Sequence, residues 1–240
     1  MNIALIFAGG TGTRMNSAGK PKQFLELHGK PIIIHTLEKF DEHPEIDAIA
    51  VVCISSWIDY LKNMVDRFRI KKVRWIVPGG STSQESTRNG LNAISAEQYD
   101  DDTIVLIHDG VRPLITPELI HDNIASVKAY GNAITTAPAI ETIITTDEEG
   151  RVNSLIDRKV CRLARAPQSF FLKDILAMHR RAIEDHYDQM IDSASLMIHY
   201  GVELHVVNGP AENIKITTPS DYYNFKAIVE SKESMQILGY

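Results

Sequence analysis

An α/β fold is the architecture this sequence predicts: one mostly parallel sheet with helices on both faces. Two observations carry that reading. Short apolar runs at residues 3–8, 48–54, 73–77 and 103–108 have the length and composition of buried strands. Segments of helical character separate them, at residues 31–40, 57–68 and 82–94. The alternation is Rossmann-like.

The elements follow in order. Residues 3–8, IALIFA, form a strand that ends in Gly9, Gly10, Thr11 and Gly12. Glycines there allow a tight turn and close backbone approach to a ligand. Pro31 suits the first position of a helix. Ser81 with Gln84, or Thr82 with Glu85, offers a capping pair for the third helix. Beyond Thr116, residues 117–130 read as a helix stopped by Gly131, and 133–138 as a strand. Residues 140–166 differ: a β-branched run at 142–146, a turn at 147–150 and a second run at 152–156 are hairpin-like. Helices resume at 172–185 and 193–200, strands follow at 202–207 and 214–217, and a last helix starts near Pro219. No repeat or linker interrupts the chain, so residues 1–240 are read as one domain carrying an arm at about 140–166.

The chain has 240 residues, 44% of them hydrophobic and 23% charged, ordinary for a globular protein. A formal charge of -6 argues against a general nucleic-acid binder. An anionic small molecule remains open, because local cations make such a site. Cys53 and Cys161 lack metal-ligand spacing. No apolar run reaches membrane-spanning length, and residues 1–8 lack the basic start of a signal peptide. A cytoplasmic protein with reduced thiols is expected.

The first strand and turn are followed by two cations, Arg14 and Lys22. Strand, glycine turn and fixed positive charge suit a polyphosphate, which backbone N–H groups cradle and side chains neutralise. Two better-known phosphate loops do not fit. A GxGxxG begun at Gly10 needs glycine at Met15, and Gly19-Lys20 is followed by Pro21 rather than Ser or Thr. Asp109 ends a buried strand, where open α/β sheets bind ligands, and is placed to hold a divalent metal or a substrate hydroxyl. Arg112 lies three residues on, within reach of substrate phosphate or hydroxyls. His108 has no ligand-spaced partner and is read as structural.

AGGTGTRM (8–15) followed by PKQF (21–24) resembles the signature of CTP-dependent cytidylyltransferases. That family includes enzymes acting on 2-C-methyl-D-erythritol 4-phosphate and on ribitol 5-phosphate. The resemblance continues through HDGVRP (108–113), APQSF (166–170) and NIKITTPSD (213–221), in the family's order. It implies that Arg14, Lys22 and Lys215 act on the reacting phosphates, with Lys215 steadying the α-phosphate. It also implies nucleotide binding by Ala8, Gly9, Gly10, Thr11, Gly12, Gly79, Gly80 and Ser86. Asp109, Arg112, Thr142 and Arg158 would contact the second substrate, with Asp109 also on Mg²⁺ or a similar cation. The 140–166 arm would cross to a second subunit and carry Arg158 to the neighbour's substrate phosphate, in a homodimer. Lys159, Arg162 and Arg165 form a basic cluster beside Arg158 and compete for that role.

Two departures stand out. Ser81, Thr82 and Ser83 occupy positions where the family commonly carries a charged pair, and Ile191 precedes Asp192 where a hydroxyl residue is usual. The expected activity is transfer of CMP from CTP to an alditol phosphate. The AGG turn, the 21–40 run and HDxVRP look more like the ribitol 5-phosphate branch. The methylerythritol branch is the alternative enzyme. A non-catalytic nucleotide-binding protein is disfavoured by the joint presence of Arg14, Lys22, Asp109 and Lys215.

Overall fold

The computed structural model describes residues 1–10, 19–97 and 99–238. Arg14, Thr11 and Gly12 therefore lie outside the described residues. Strand β1 (Asn2–Ala8) runs through the middle of a seven-stranded sheet. A small antiparallel pair follows, β2 (Glu26–Leu27) and β3 (Lys30–Pro31). Helix α1 (Ile32–Asp41) returns the chain to β4 (Ala48–Cys53), parallel to β1. Helix α2 (Ile58–Arg67) leads to β5 (Val73–Pro78), parallel to β4 at the sheet edge. Helix α3 (Ser83–Ser95) then crosses back to β6 (Ile104–Asp109), which pairs with β1 on its other side.

Helix α4 (Pro117–Tyr130) precedes β7 (Asn132–Pro138), and a separate hairpin follows, β8 (Ile143–Thr146) and β9 (Val152–Ile156). Strand β10 (Arg162–Phe171) lies antiparallel between β6 and β7. Helices α5 (Leu172–Glu184) and α6 (Ser193–His199), edge strand β11 (Val206–Asn208) and helix α7 (Pro219–Leu238) complete the chain. The mostly parallel α/β sheet is as the alternation predicts; β10 is its antiparallel member.

Alternation along β1 builds the two layers. Ala4 and Ile6 face one side, packed with Ile33, Leu37 and Phe40 of α1 and Ile120 and Ile124 of α4. Ile3 and Leu5 face the other, with Leu91 of α3 and Ile175 of α5. All four β1 side chains are at most 1% exposed, so the strand reads as a continuous apolar run. A smaller cluster of Leu27, Ile32, Val111, Ile216 and Phe225 holds α7 against the β2–β3 end.

Local signals act as their chemistry predicts. Thr82 caps α3, its side chain accepting from the Glu85 N–H at 3.0 Å. The Glu85 carboxylate reaches Ser81 rather than the cap residue, accepting from its N–H at 2.6 Å. Thr116 caps α4, and Gly131 ends it at φ 85, a conformation glycine adopts without strain.

Three expected elements change. Residues 214–217 form no strand among the described residues, and the 202–207 strand reduces to Val206–Asn208. Residues 162–166 run in β10 instead of the hairpin, because Arg162 and Leu163 pair with Pro138 and Ala137 in the central sheet.

Candidate active site

The chain leaves β1 for β4 on one side of the sheet and later fills β6 on the other. Between β1 and β6 the strand order reverses, and open α/β sheets bind ligands in the crevice at that point. Phe7 and Asp109 are register partners there, so the glycine turn and the acidic residue emerge side by side. A cleft of about 800 Å³ opens above them.

Ala8, Gly9 and Gly10 form its floor, beside Lys22. Lys22 is held by its neighbours. Gln23 Nε2 donates to the Ala8 carbonyl at 2.6 Å, and buried Phe24 stacks on Trp57 with centroids 4.8 Å apart. The short 3-10 turn Lys22–Phe24 is thereby fastened to β1, and Lys22 is 9% exposed at the cleft wall.

The β5–α3 turn supplies a second wall. Gly80 and Ser86 line the cleft, and the Gly80 N–H donates to Ser86 Oγ at 3.0 Å. The Ser86 hydroxyl keeps its own proton to donate. Gly79 lies behind this wall, its N–H bonded to the Cys53 carbonyl at 2.9 Å.

Asp109 sits between two cations. Its Oδ1 is 2.6 Å from Lys215 Nζ, and its Oδ2 accepts from Arg112 Nε at 2.8 Å. Burial alone would raise its pKa; Lys215 and Arg112 overcome that and hold the carboxyl down at about 2. His108, next in sequence, is fully buried and donates from Nε2 to the Arg112 carbonyl at 3.1 Å. Burial pushes its pKa down to about 4, so it is a neutral, structural ring.

Lys215 reaches Asp109 from outside the sheet. Ile216 donates from its N–H to the Val111 carbonyl at 2.9 Å and is fully buried. Asn213 Nδ2 donates to the Ala166 carbonyl at 2.8 Å, and the Asn213 carbonyl accepts from Arg112 Nη1 at 2.9 Å and Arg165 Nη1 at 2.8 Å. Hydrogen bonds to β10 and to the β6–α4 loop replace a strand ladder.

The cleft thus gathers Ala8, Gly9, Gly10, Lys22, Gly80, Ser86, Asp109, Arg112 and Lys215, which the sequence separates by up to two hundred residues. Thr142 and Arg158 do not line it; both are exposed on the hairpin side, and Arg158 Nη1 donates to the Ile140 carbonyl at 2.9 Å. Gln168 and Asp192 line it without having been assigned a role from sequence, and so does Arg165, one of the basic cluster competing with Arg158. Gln168 Nε2 donates to Asp192 Oδ2 at 2.8 Å, and its Oε1 accepts from the Ala194 N–H at 2.9 Å, tying β10 to the start of α6. The APQSF motif holds Gln168, but only the folded partner explains why glutamine stands there.

Among the described residues no three His, Cys, Asp or Glu side chains group as a metal site. A single carboxylate, Asp109, fits a hard cation whose remaining ligands are phosphate oxygens and water, the usual manner for Mg²⁺. Each Asp109 oxygen has a second lone pair beyond its bond to Lys215 or Arg112.

The profile of the family "IspD: 2-C-methyl-D-erythritol 4-phosphate cytidylyltransferase" matches residues 2–231. A ribitol-5-phosphate cytidylyltransferase of Vibrio parahaemolyticus is 56% identical over 239 residues, covering 100% of both chains. Another from Streptococcus agalactiae is 52% identical over 240 residues, again covering 100% of both. A 2-C-methyl-D-erythritol 4-phosphate cytidylyltransferase of Syntrophus aciditrophicus is 36% identical, over 96% of this chain and 97% of that one. The crystal structure of 4-diphosphocytidyl-2C-methyl-D-erythritol synthase from Anaerococcus prevotii superposes with a TM-score of 0.82 at 28% identity, over 96% of each chain. With the profile spanning nearly the whole chain, and Gly9, Gly10, Lys22, Asp109, Arg112 and Lys215 gathered in one cleft, this protein belongs to the IspD family of cytidylyltransferases.

Proposed function

We propose that this cytidylyltransferase moves CMP from CTP onto ribitol 5-phosphate, giving CDP-ribitol and pyrophosphate. The observation that carries the choice of acceptor is the identity gap. Full-length relatives named for ribitol 5-phosphate stand at 40–56%, four of them at 52–56%, and those named for methylerythritol phosphate at 36–37%.

In this reading a phosphate oxygen of the alditol phosphate attacks the α-phosphorus of CTP. The bond from that phosphorus to the bridging oxygen breaks, and pyrophosphate leaves with the electron pair. Both reactants are anions, so alignment and charge neutralisation carry the catalysis. Gly9 and Gly10 bring backbone donors to the triphosphate. Lys22 and Arg14 neutralise its outer charge, and Lys215 approaches the α-phosphate. Thr11 and Gly12, outside the described residues, are assigned to the same nucleotide. Ser86 donates its hydroxyl proton to an acceptor on the cytosine edge, beside Gly79 and Gly80. Asp109 and Arg112 orient the acceptor. Asp109 would hold Mg²⁺, which would supply further neutralisation of the phosphates.

The protein works as a cytoplasmic homodimer in this proposal, with residues 1–240 as one domain. The β8–β9 hairpin and the chain up to β10 form the dimer arm, which brings Thr142 and Arg158 to the neighbour's site. Exposed Ile140, Leu155 and Val160 support that role, since an isolated two-stranded hairpin is marginal in water and gains from a partner surface. Among the described residues no helix is long and apolar enough to cross a membrane.

Pyrophosphate release from CTP, followed with ribitol 5-phosphate and 2-C-methylerythritol 4-phosphate in parallel, tests the reading. Release that depends on ribitol 5-phosphate and on Mg²⁺, and stops in chelator, is expected. Preference for methylerythritol phosphate moves the protein to the other branch. Release with neither, or equal release in chelator, overturns the acceptor or the metal respectively.

A further inference from the structure

We propose that Arg165 is a substrate-binding residue, a cation supplied from within the same chain to the phosphate of the acceptor. Three observations on its surroundings carry this.

The first is position. Arg165 stands on β10 where the ladder with β7 shifts register between Ala164 and Gln168, and it lines the cleft together with Arg112 and Lys215. The second is its hydrogen bonding. One nitrogen, Nη1, donates to the carbonyls of Ala211 and Asn213, both at 2.8 Å, which fixes the guanidinium in place. Nε and Nη2 bond to none of the described residues, leaving donors of the planar fork that suits a phosphate.

The third is charge. Arg165 and Arg112 meet on one carbonyl, that of Asn213. Asp109, the carboxylate on Arg112, is shared with Lys215, and the acidic group acting on Arg165 is Glu212. Burial and the neighbouring Arg112 both depress the Arg165 pKa, with Glu212 opposing them, as expected for a cation short of counter-charge. The cleft wall carries Lys22, Arg112, Arg165 and Lys215 against Asp109 and Asp192. Four cations against two carboxylates leave an excess of positive charge that suits a second anion beside the triphosphate. Arg158, by contrast, stands on the hairpin side with its guanidinium on the Ile140 carbonyl and does not reach this chain's cleft.

The inference rests on the acceptor being a phosphate monoester, as in the proposed function. Steady-state kinetics of the full-length protein, Arg165→Ala and Arg165→Lys, with CTP and ribitol 5-phosphate varied separately, test it. Loss of a charge-assisted contact to phosphate should raise KM for ribitol 5-phosphate roughly tenfold or more in Arg165→Ala. KM for CTP should stay within about twofold, and Arg165→Lys should recover part of the loss because it keeps the charge. Thermal unfolding of each variant reports whether the fold is kept. A fall in kcat with KM for ribitol 5-phosphate unchanged would mean that Arg165 only props the Lys215 segment, and overturns the proposal. Unchanged kinetics overturn it as well. Absence of turnover by the unaltered protein is the separate failure of the acceptor reading; calorimetric titration of ribitol 5-phosphate into the protein and Arg165→Ala then decides, equal binding or none counting against Arg165.

Discussion

Lys215 Nζ and Asp109 Oδ1 stand 2.6 Å apart although more than a hundred residues separate them in sequence. The pair joins the end of β6 to a segment that belongs to no strand. It also sets the electrostatics of the cleft, because Lys215 and Arg112 keep Asp109 ionised despite its burial.

That depression has a pH consequence. The Asp109 pKa is lower folded than in the unfolded chain, so its ionised form stabilises the fold above the unfolded pKa and ceases to do so as pH falls through the folded one. The stability gap between the natural protein and Asp109→Asn should hold constant from neutral pH to about 4 and close toward about 2. Urea unfolding across that range measures it. A gap that closes near neutral pH would contradict the ion pairs.

Lys22 is buried at the cleft wall and fastened there through Gln23 and Phe24. Lys22→Ala should lower turnover by roughly 10²–10³, the scale of one lost transition-state donor. Near-normal turnover by a folded variant would remove Lys22 from the mechanism.

Gly110 follows Asp109, and a Cβ added to it would lie 2.7 Å from the Phe7 carbonyl oxygen. The Gly110 N–H donates to that same oxygen at 2.8 Å, so the two backbones cannot part without breaking the bond. Gly110→Ala should cost about 1–3 kcal/mol of stability, read from the denaturation midpoint. It should also lower turnover, because Phe7 and Asp109 are register partners at the cleft. An unchanged midpoint would show that the strands yield without penalty.

Shared sites in a homodimer are tested by mixing. A chain carrying Arg158→Ala and a chain carrying Lys22→Ala, each impaired alone, should regain activity in mixed dimers if the hairpin serves the neighbour's cleft. Full activity by a monomer at sedimentation equilibrium, or no recovery in dimers demonstrated to be mixed, would count against the shared site.

The sequence by itself determined the parts whose physics is local. The apolar run of β1 announces a strand, and Gly9 and Gly10 after it line the cleft. Thr82 and Thr116 announce helix starts, and Gly131 a helix end, because capping and a left-handed backbone depend on a few adjacent residues. The motifs around Lys22 and Asp109 singled them out, and both line the cleft.

Only the tertiary structure decided the rest. The β-branched composition of residues 214–217 suggested a strand, yet among the described residues it has no ladder partner, and Ile216 bonds to the Val111 carbonyl instead. The direction of β10, antiparallel between two strands that run the other way, depends on where the hairpin returns the chain. Arg165 was one arginine in a basic cluster until the fold turned it toward Asn213 and the cleft, with Arg158 left on the hairpin. Pattern and propensity report on neighbours along the chain. Pairing, strand direction and the meeting of distant charges depend on long-range contacts, which no stretch of sequence encodes alone.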